Sequence, residues 1–149
     1  MLTGERDMYK SLSIYMGIVF IFLCSPITSN DTDIRDRYGS YKGKVQEDGS
    51  FRDKYGSYEG KLDSKGSLRD KHGSYLGKVD PTGNVRDRAG AYLGKVTESG
   101  DVRDKYGSYL GKIDPSGNVR DKYGAYIGKV GSGVSKEAAA VKFFFPGLN

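Results

Sequence analysis

Arg103-Asp104-Lys105-Tyr106-Gly107-Ser108-Tyr109-Leu110-Gly111-Lys112-Ile113, followed by Asp114-Pro115-Ser116-Gly117 and Asn118-Val119, is the stretch that decides the fold. The same text restarts 17 residues later at Arg120, and it also starts at Arg35, Arg52, Arg69 and Arg86. Six copies fill the chain from Ile34 to Val130. Repetition at a fixed short period means that one small unit is used again and again, each burying its apolar face against its neighbours.

Each unit holds two turn signals. In Asp104-Lys105-Tyr106-Gly107 and Asp114-Pro115-Ser116-Gly117 the Asp carboxylate can accept backbone N–H groups. Proline arrives with φ already set, and the closing Gly suits the left-handed residue that follows a type I turn in a bulged hairpin loop. Other copies vary the letters and keep the chemistry, as in Gln46-Glu47-Asp48-Gly49 and Asp80-Pro81-Thr82-Gly83. Between the turns lie a longer strand, Ser108 to Ile113, and a shorter one, Asn118 to Arg120.

Strict alternation puts Tyr109, Gly111 and Ile113 on one face and Ser108, Leu110 and Lys112 on the other. Three sets are therefore expected to form the core. They are the tyrosines Tyr41, Tyr58, Tyr75, Tyr92, Tyr109 and Tyr126; the aliphatics from Val45 to Val130; and the short-strand residues from Ile34 to Val119. The mid-strand glycines imply that a ring or another backbone passes close. An open ladder of such hairpins would leave sticky edges, so a closed ring is expected: all-β, flower-like or propeller-like, built of short antiparallel hairpins. Asn30–Ile34 imitates the entry to a repeat and Gly131–Val134 its turn, which also favours closure. Ser135 can cap a short helical turn through Ala140, and Phe143-Phe144-Phe145 then reads as a seal for the repeat core.

Glycine supplies 22 of 149 residues, about twice its usual ~7% share, and falls at fixed places rather than in a linker. The net charge of +5 comes from interspersed Lys and Asp, a mixed solvated surface with some attraction for anionic polymers. Lys10 precedes a thirteen-residue apolar run, Leu12 to Cys24, too short to span a bilayer and of the length of a signal-peptide core. Residues 1–29 therefore read as a signal peptide, with Met8 as an alternative start and a cut before Asn30. Residues 30–145 read as a single repeat domain and 146–149 as a tail. Cys24 is the sole cysteine, so the processed chain has no disulfide and must hold itself by its core. The expected location is periplasmic, outer-surface or secreted, with no stable membrane span after cleavage.

The units, with their Ala-Ala-Ala and Phe-Phe-Phe ending, resemble the five-fold beta-flower repeat proteins, exported proteins of Bacteroidetes-type bacteria. The resemblance covers residues 30–145 and implies hairpins around a pseudo-symmetry axis, with no catalytic residues to carry over. Six Arg-Asp starts leave open whether the ring has five blades or six. Tyr58-Glu59-Gly60-Lys61-Leu62 also resembles the start of MORN repeats, and the Asp-x-x-Gly text resembles tyrosine–aspartate repeats, both of longer period.

No nucleophile–base pair, phosphate loop or dinucleotide fingerprint is present in the sequence. His72 stands alone at a turn position, and the Asp-rich turns lack calcium-loop spacing. No enzyme activity, cofactor or metal is expected. The turn aromatics Tyr38, Tyr55, Tyr106 and Tyr123 lie beside Lys or Arg and are the candidate ligand-binding residues. Rings beside polar groups suit sugar stacking, or single-stranded nucleic acid, which export argues against. The functional expectation is an exported, non-catalytic envelope or secreted binding or scaffold module recognising a glycan or another surface protein. The alternative is a structural protein with no ligand.

Overall fold

A computed structural model describes residues 32–148; the expected signal segment lies outside the described residues. Twelve strands follow one another: β1 (Asp33–Asp36), β2 (Tyr41–Val45), β3 (Ser50–Asp53), β4 (Tyr58–Leu62), β5 (Ser67–Asp70), β6 (Tyr75–Val79), β7 (Asn84–Asp87), β8 (Tyr92–Val96), β9 (Asp101–Asp104), β10 (Tyr109–Ile113), β11 (Asn118–Asp121) and β12 (Tyr126–Val130). Each pairs antiparallel with its sequence neighbours, and β1 pairs with β12 through Ile34 opposite Val130 and Arg35 opposite Lys129. The sheet is a closed barrel of six hairpins, which leaves no free edge.

Both turn types behave as their residues dictate. In the 104–107 turn the Gly107 N–H donates to the Asp104 carbonyl at 3.0 Å and Gly107 takes φ +82°, a left-handed value that glycine adopts without steric cost. Gly117 closes the opposite turn at φ +84°.

The short strands point one apolar residue each inward: Ile34, Phe51, Leu68, Val85, Val102 and Val119 are all buried. Val45, Val79, Val96, Ile113 and Val130 join them from the long strands, while Leu62 is half-buried.

The repeat tyrosines do not belong to this core, contrary to the alternation argument. In every hairpin the register slips by one residue: Val102 faces Gly111, but Arg103 faces Tyr109, which leaves Leu110 as an extra residue. The bulge turns the tyrosine onto the outer face beside an outward Arg. Tyr58 and Tyr75 are 38% and 40% exposed, and the Arg103 guanidinium sits 5.9 Å from the centre of the Tyr109 ring. The bulged residue turns inward instead. Leu76, Leu93, Leu110 and Ile127 pack against the core.

The axis of the barrel is filled by the chain's own end. Helix α1 (Lys136–Phe144) starts at Ser135, whose hydroxyl accepts the Ala138 N–H at 3.1 Å, and it runs one turn further than expected, through Phe144. Nine residues make about 13 Å of helix, close to the height of a five-residue strand. Ala138, Ala139, Ala140 and Val141 are all buried, small enough for a helix to pass down the middle of a twelve-strand ring.

Past the alanines, the three phenylalanines spread over three blades. A Cβ placed on Gly128 would meet the Phe143 ring at 2.7 Å, one on Gly111 the Phe144 ring at 2.6 Å, and one on Gly94 the Phe145 ring at 3.0 Å. The close approach implied by those glycines is thus made by the aromatic end of the chain and by the neighbouring backbone. The last described residues form a 3-10 turn, Pro146–Leu148, which buries Leu148.

Candidate functional site

The two turn types lie at opposite ends of the barrel, because every hairpin reverses at one end and every inter-hairpin connection at the other. One end carries Tyr38, Tyr55, His72, Ala89, Tyr106 and Tyr123, one residue per tip. The four tyrosines stand between 80% and 84% exposed. In sequence they form two separated pairs. Closure of β1 on β12 makes Tyr106, Tyr123, Tyr38 and Tyr55 consecutive around the ring, an arc interrupted only where His72 and Ala89 take the tip position.

Each arc tyrosine has a cation over its ring. Lys54 lies 4.8 Å from the Tyr55 ring centre, Lys105 and Lys122 lie 5.0 Å from Tyr106 and Tyr123, and Arg37 lies 5.9 Å from Tyr38. An exposed pair of this kind contributes about 0.5–1 kcal/mol and biases the ring's orientation more than it adds stability.

The aspartate of each tip faces back into its own turn. The Asp104 carboxylate accepts the Tyr106 N–H at 2.8 Å and the Ser108 N–H at 2.9 Å, and the other five tips repeat the pattern. The Arg preceding each Asp donates from its guanidinium to the glycine carbonyl of the same tip, at 2.9–3.3 Å across the six copies. Six near-identical tips are held by short-range bonds within their own turns. The Arg-Asp pairs are therefore turn scaffolding.

At the opposite rim Asp63, Asp80 and Asp114 accept N–H groups of their own turns in the same way. The Asp80 carboxyl is held down at about 2, foremost by the Thr82 hydroxyl and then by the Asn84 amide, against the opposing effect of partial burial. The Asp48 carboxyl is also lowered to about 2, chiefly by the Ser50 N–H and hydroxyl.

A cavity of about 480 Å³ opens beside the tyrosine rim between the second and third hairpins. Phe51, Leu68, Leu76 and Leu148 form its apolar part; Glu59 and Lys142, ion-paired with each other, and His72 supply polar groups. At the bulge position this copy carries Glu59, exposed, where the four later copies place Leu or Ile. Strict alternation points that position outward, so the sequence gives no sign of the cavity. Among the described residues no three His, Cys, Asp or Glu side chains are grouped to hold a metal ion, and no helix is long and apolar enough to cross a membrane.

The family model described as "5-fold beta-flower protein" matches residues 31–146. Neither a curated protein nor a solved structure matches the chain.

Proposed function

The chain belongs to the 5-fold beta-flower protein family, and from that premise we propose that it is an exported, non-catalytic binding module that holds a glycan on its tyrosine rim. The observation that carries this reading is the arc of four consecutive exposed tyrosines, each oriented by a cation and mounted on a turn braced by its own hydrogen bonds. A rigid, exposed aromatic ring offers an apolar face to the C–H side of a sugar at little entropic cost. Several weak, equivalent contacts on one body add through effective concentration when the ligand is itself repetitive. Export rests on Lys10, the apolar run Leu12 to Cys24 and the small residue Ser29. Intact mass of protein recovered from the envelope or medium checks it, and a species still carrying Leu12–Cys24 would contradict cleavage.

The binding test is a glycan and cell-wall screen with the purified protein, repeated after replacing Tyr38, Tyr55, Tyr106 and Tyr123 by Ser together. Binding that vanishes in a variant with an unchanged melting profile supports the rim. Binding that survives places the contact elsewhere. The competing reading, a structural body without a ligand, draws on the cation seated over each ring, which gives every tip tyrosine a partner within its own turn. A wild type that binds no polymer would favour it.

A further inference from the structure

The two rims differ in charge as sharply as in aromatics. At the tyrosine rim the second turn position is Arg37, Lys54, Lys71, Arg88, Lys105 or Lys122, a cation in all six copies, although the tyrosine is present in only four. None of these six cations is in a salt bridge among the described residues. The six arginines bonded to the tip carbonyls hold their guanidinium groups at the same end. Twelve cations thus meet six carboxylates, a surplus of six positive charges. The turns of the opposite rim hold Glu47, Asp48, Asp63, Asp80, Glu98 and Asp114 with one turn cation, Lys65. A strand lysine reaches in from beside them, Lys61 pairing with Asp48 at 3.2 Å, so this end has no comparable excess of positive charge. The net +5 of the whole chain conceals this polarity.

From it we infer that the ligand of the tyrosine rim is an acidic polysaccharide, bearing carboxylate or sulfate groups along a chain of stackable sugar rings. This rests on the rim-binding reading above and narrows it to a ligand class. The ring alone would take a neutral sugar as readily. A complete circle of cations, present also at the His72 and Ala89 tips where there is no tyrosine ring to orient, sets a field that draws in anions. Tips of neighbouring hairpins are two strands apart, about 10 Å, comparable to the length of a disaccharide. One sugar face on each tyrosine and one acid group on each adjacent cation therefore fit a polymer that alternates the two. The opposite rim has no circle of turn cations, which makes the contact one-sided.

The test measures affinity of the purified full chain for polygalacturonate, dextran sulfate, neutral dextran and single-stranded DNA over a series of salt concentrations. The expected result is binding to one or both acidic glycans that weakens as salt rises, with weaker binding to neutral dextran and DNA. Polygalacturonate against dextran sulfate separates carboxylate from sulfate as the recognised group. The variant Lys54→Gln/Lys105→Gln/Lys122→Gln should lose affinity by about tenfold, each exposed ion contact counting for a few fold, and its salt dependence should flatten. Lys65→Gln on the opposite rim should change neither. Equal affinity for neutral dextran, an unchanged triple variant, or DNA bound as tightly as the glycans each overturns the inference. Neutral dextran lost only in the four-tyrosine variant would leave the rim reading standing and remove its acidic ligand. A wild type that binds none of the polymers removes both.

Discussion

At the scale of single residues, one inserted position per hairpin decides which side chains stabilise the protein. Leu68 is 2% exposed on a short strand, whereas Tyr75, which belongs to the hairpin that Leu68 helps form, is 40% exposed on the outer surface. Leu68→Ala should cost about 2–5 kcal/mol. Tyr75→Ala should cost about 1 kcal/mol or less, the scale of a surface substitution. Urea melts of the two variants check the assignment, and comparable losses would restore the tyrosines to the core. The inward and outward faces of the short strands were legible in the sequence because alternation holds there without interruption. It failed at Tyr109 because a bulge between Tyr109 and Gly111 inserts Leu110 and breaks the period of two. A signal for this was present: the residue after the tyrosine is Leu76, Leu93, Leu110 or Ile127 in four copies, too apolar for a solvated face.

At the scale of elements, the turns and the helix rest on different physics. The turns are local and electrostatic. Asp80 has an ordinary value of 3.8 in the unfolded chain and about 2 in the folded one. A depressed folded value means that its contribution to stability is complete above the unfolded value and is lost as pH falls through about 2. Melting temperature should therefore drop between pH 4 and pH 2, and Asp80→Asn, less stable at neutral pH, should show a shallower drop over that window. Thermal melts across this range decide it; identical acid slopes would remove Asp80 from the account. The helix stabilises by filling space. Removing residues 141–149 takes away the phenylalanines that cover Gly94, Gly111 and Gly128, so the shortened protein should bind a hydrophobic dye and self-associate. A monomeric, dye-negative truncation would contradict the plug. The aromatic run was recognisable as a seal from its apolarity alone. Its one-ring-per-glycine fit was not, because that needs the spatial order of the blades.

At the scale of the whole molecule, closure turns a list of repeats into one object. The 17-residue period and the imitation of repeat text at both ends made a ring legible, while the number of blades depended on how the ends met. They meet as β1 on β12, giving six hairpins in a family described as five-fold. Deleting residues 30–46 removes the first hairpin and should leave β3 and β12 as unpaired edges around an unchanged helix, a geometry that favours association between copies. Size-exclusion chromatography should then show species larger than the parent forms. A variant that elutes as a compact particle would mean that five hairpins can close around the same helix. The tyrosine arc belongs to this scale as well: Tyr123 and Tyr38 are 85 residues apart in the chain and become neighbours only through closure.

The helix on the barrel axis also dictates when the protein can be finished. Each hairpin is closed by residues near in sequence and can form as soon as it is made. The interior they surround is occupied by Ala138 to Phe145, which follow all twelve strands in the chain. Without those residues the strands have one another but nothing to close upon, and the pairing of Ile34 with Val130 needs the last strand as well. The barrel is therefore completed only when residues 136–145 are in place, with the axis filled and the first strand joined to the last.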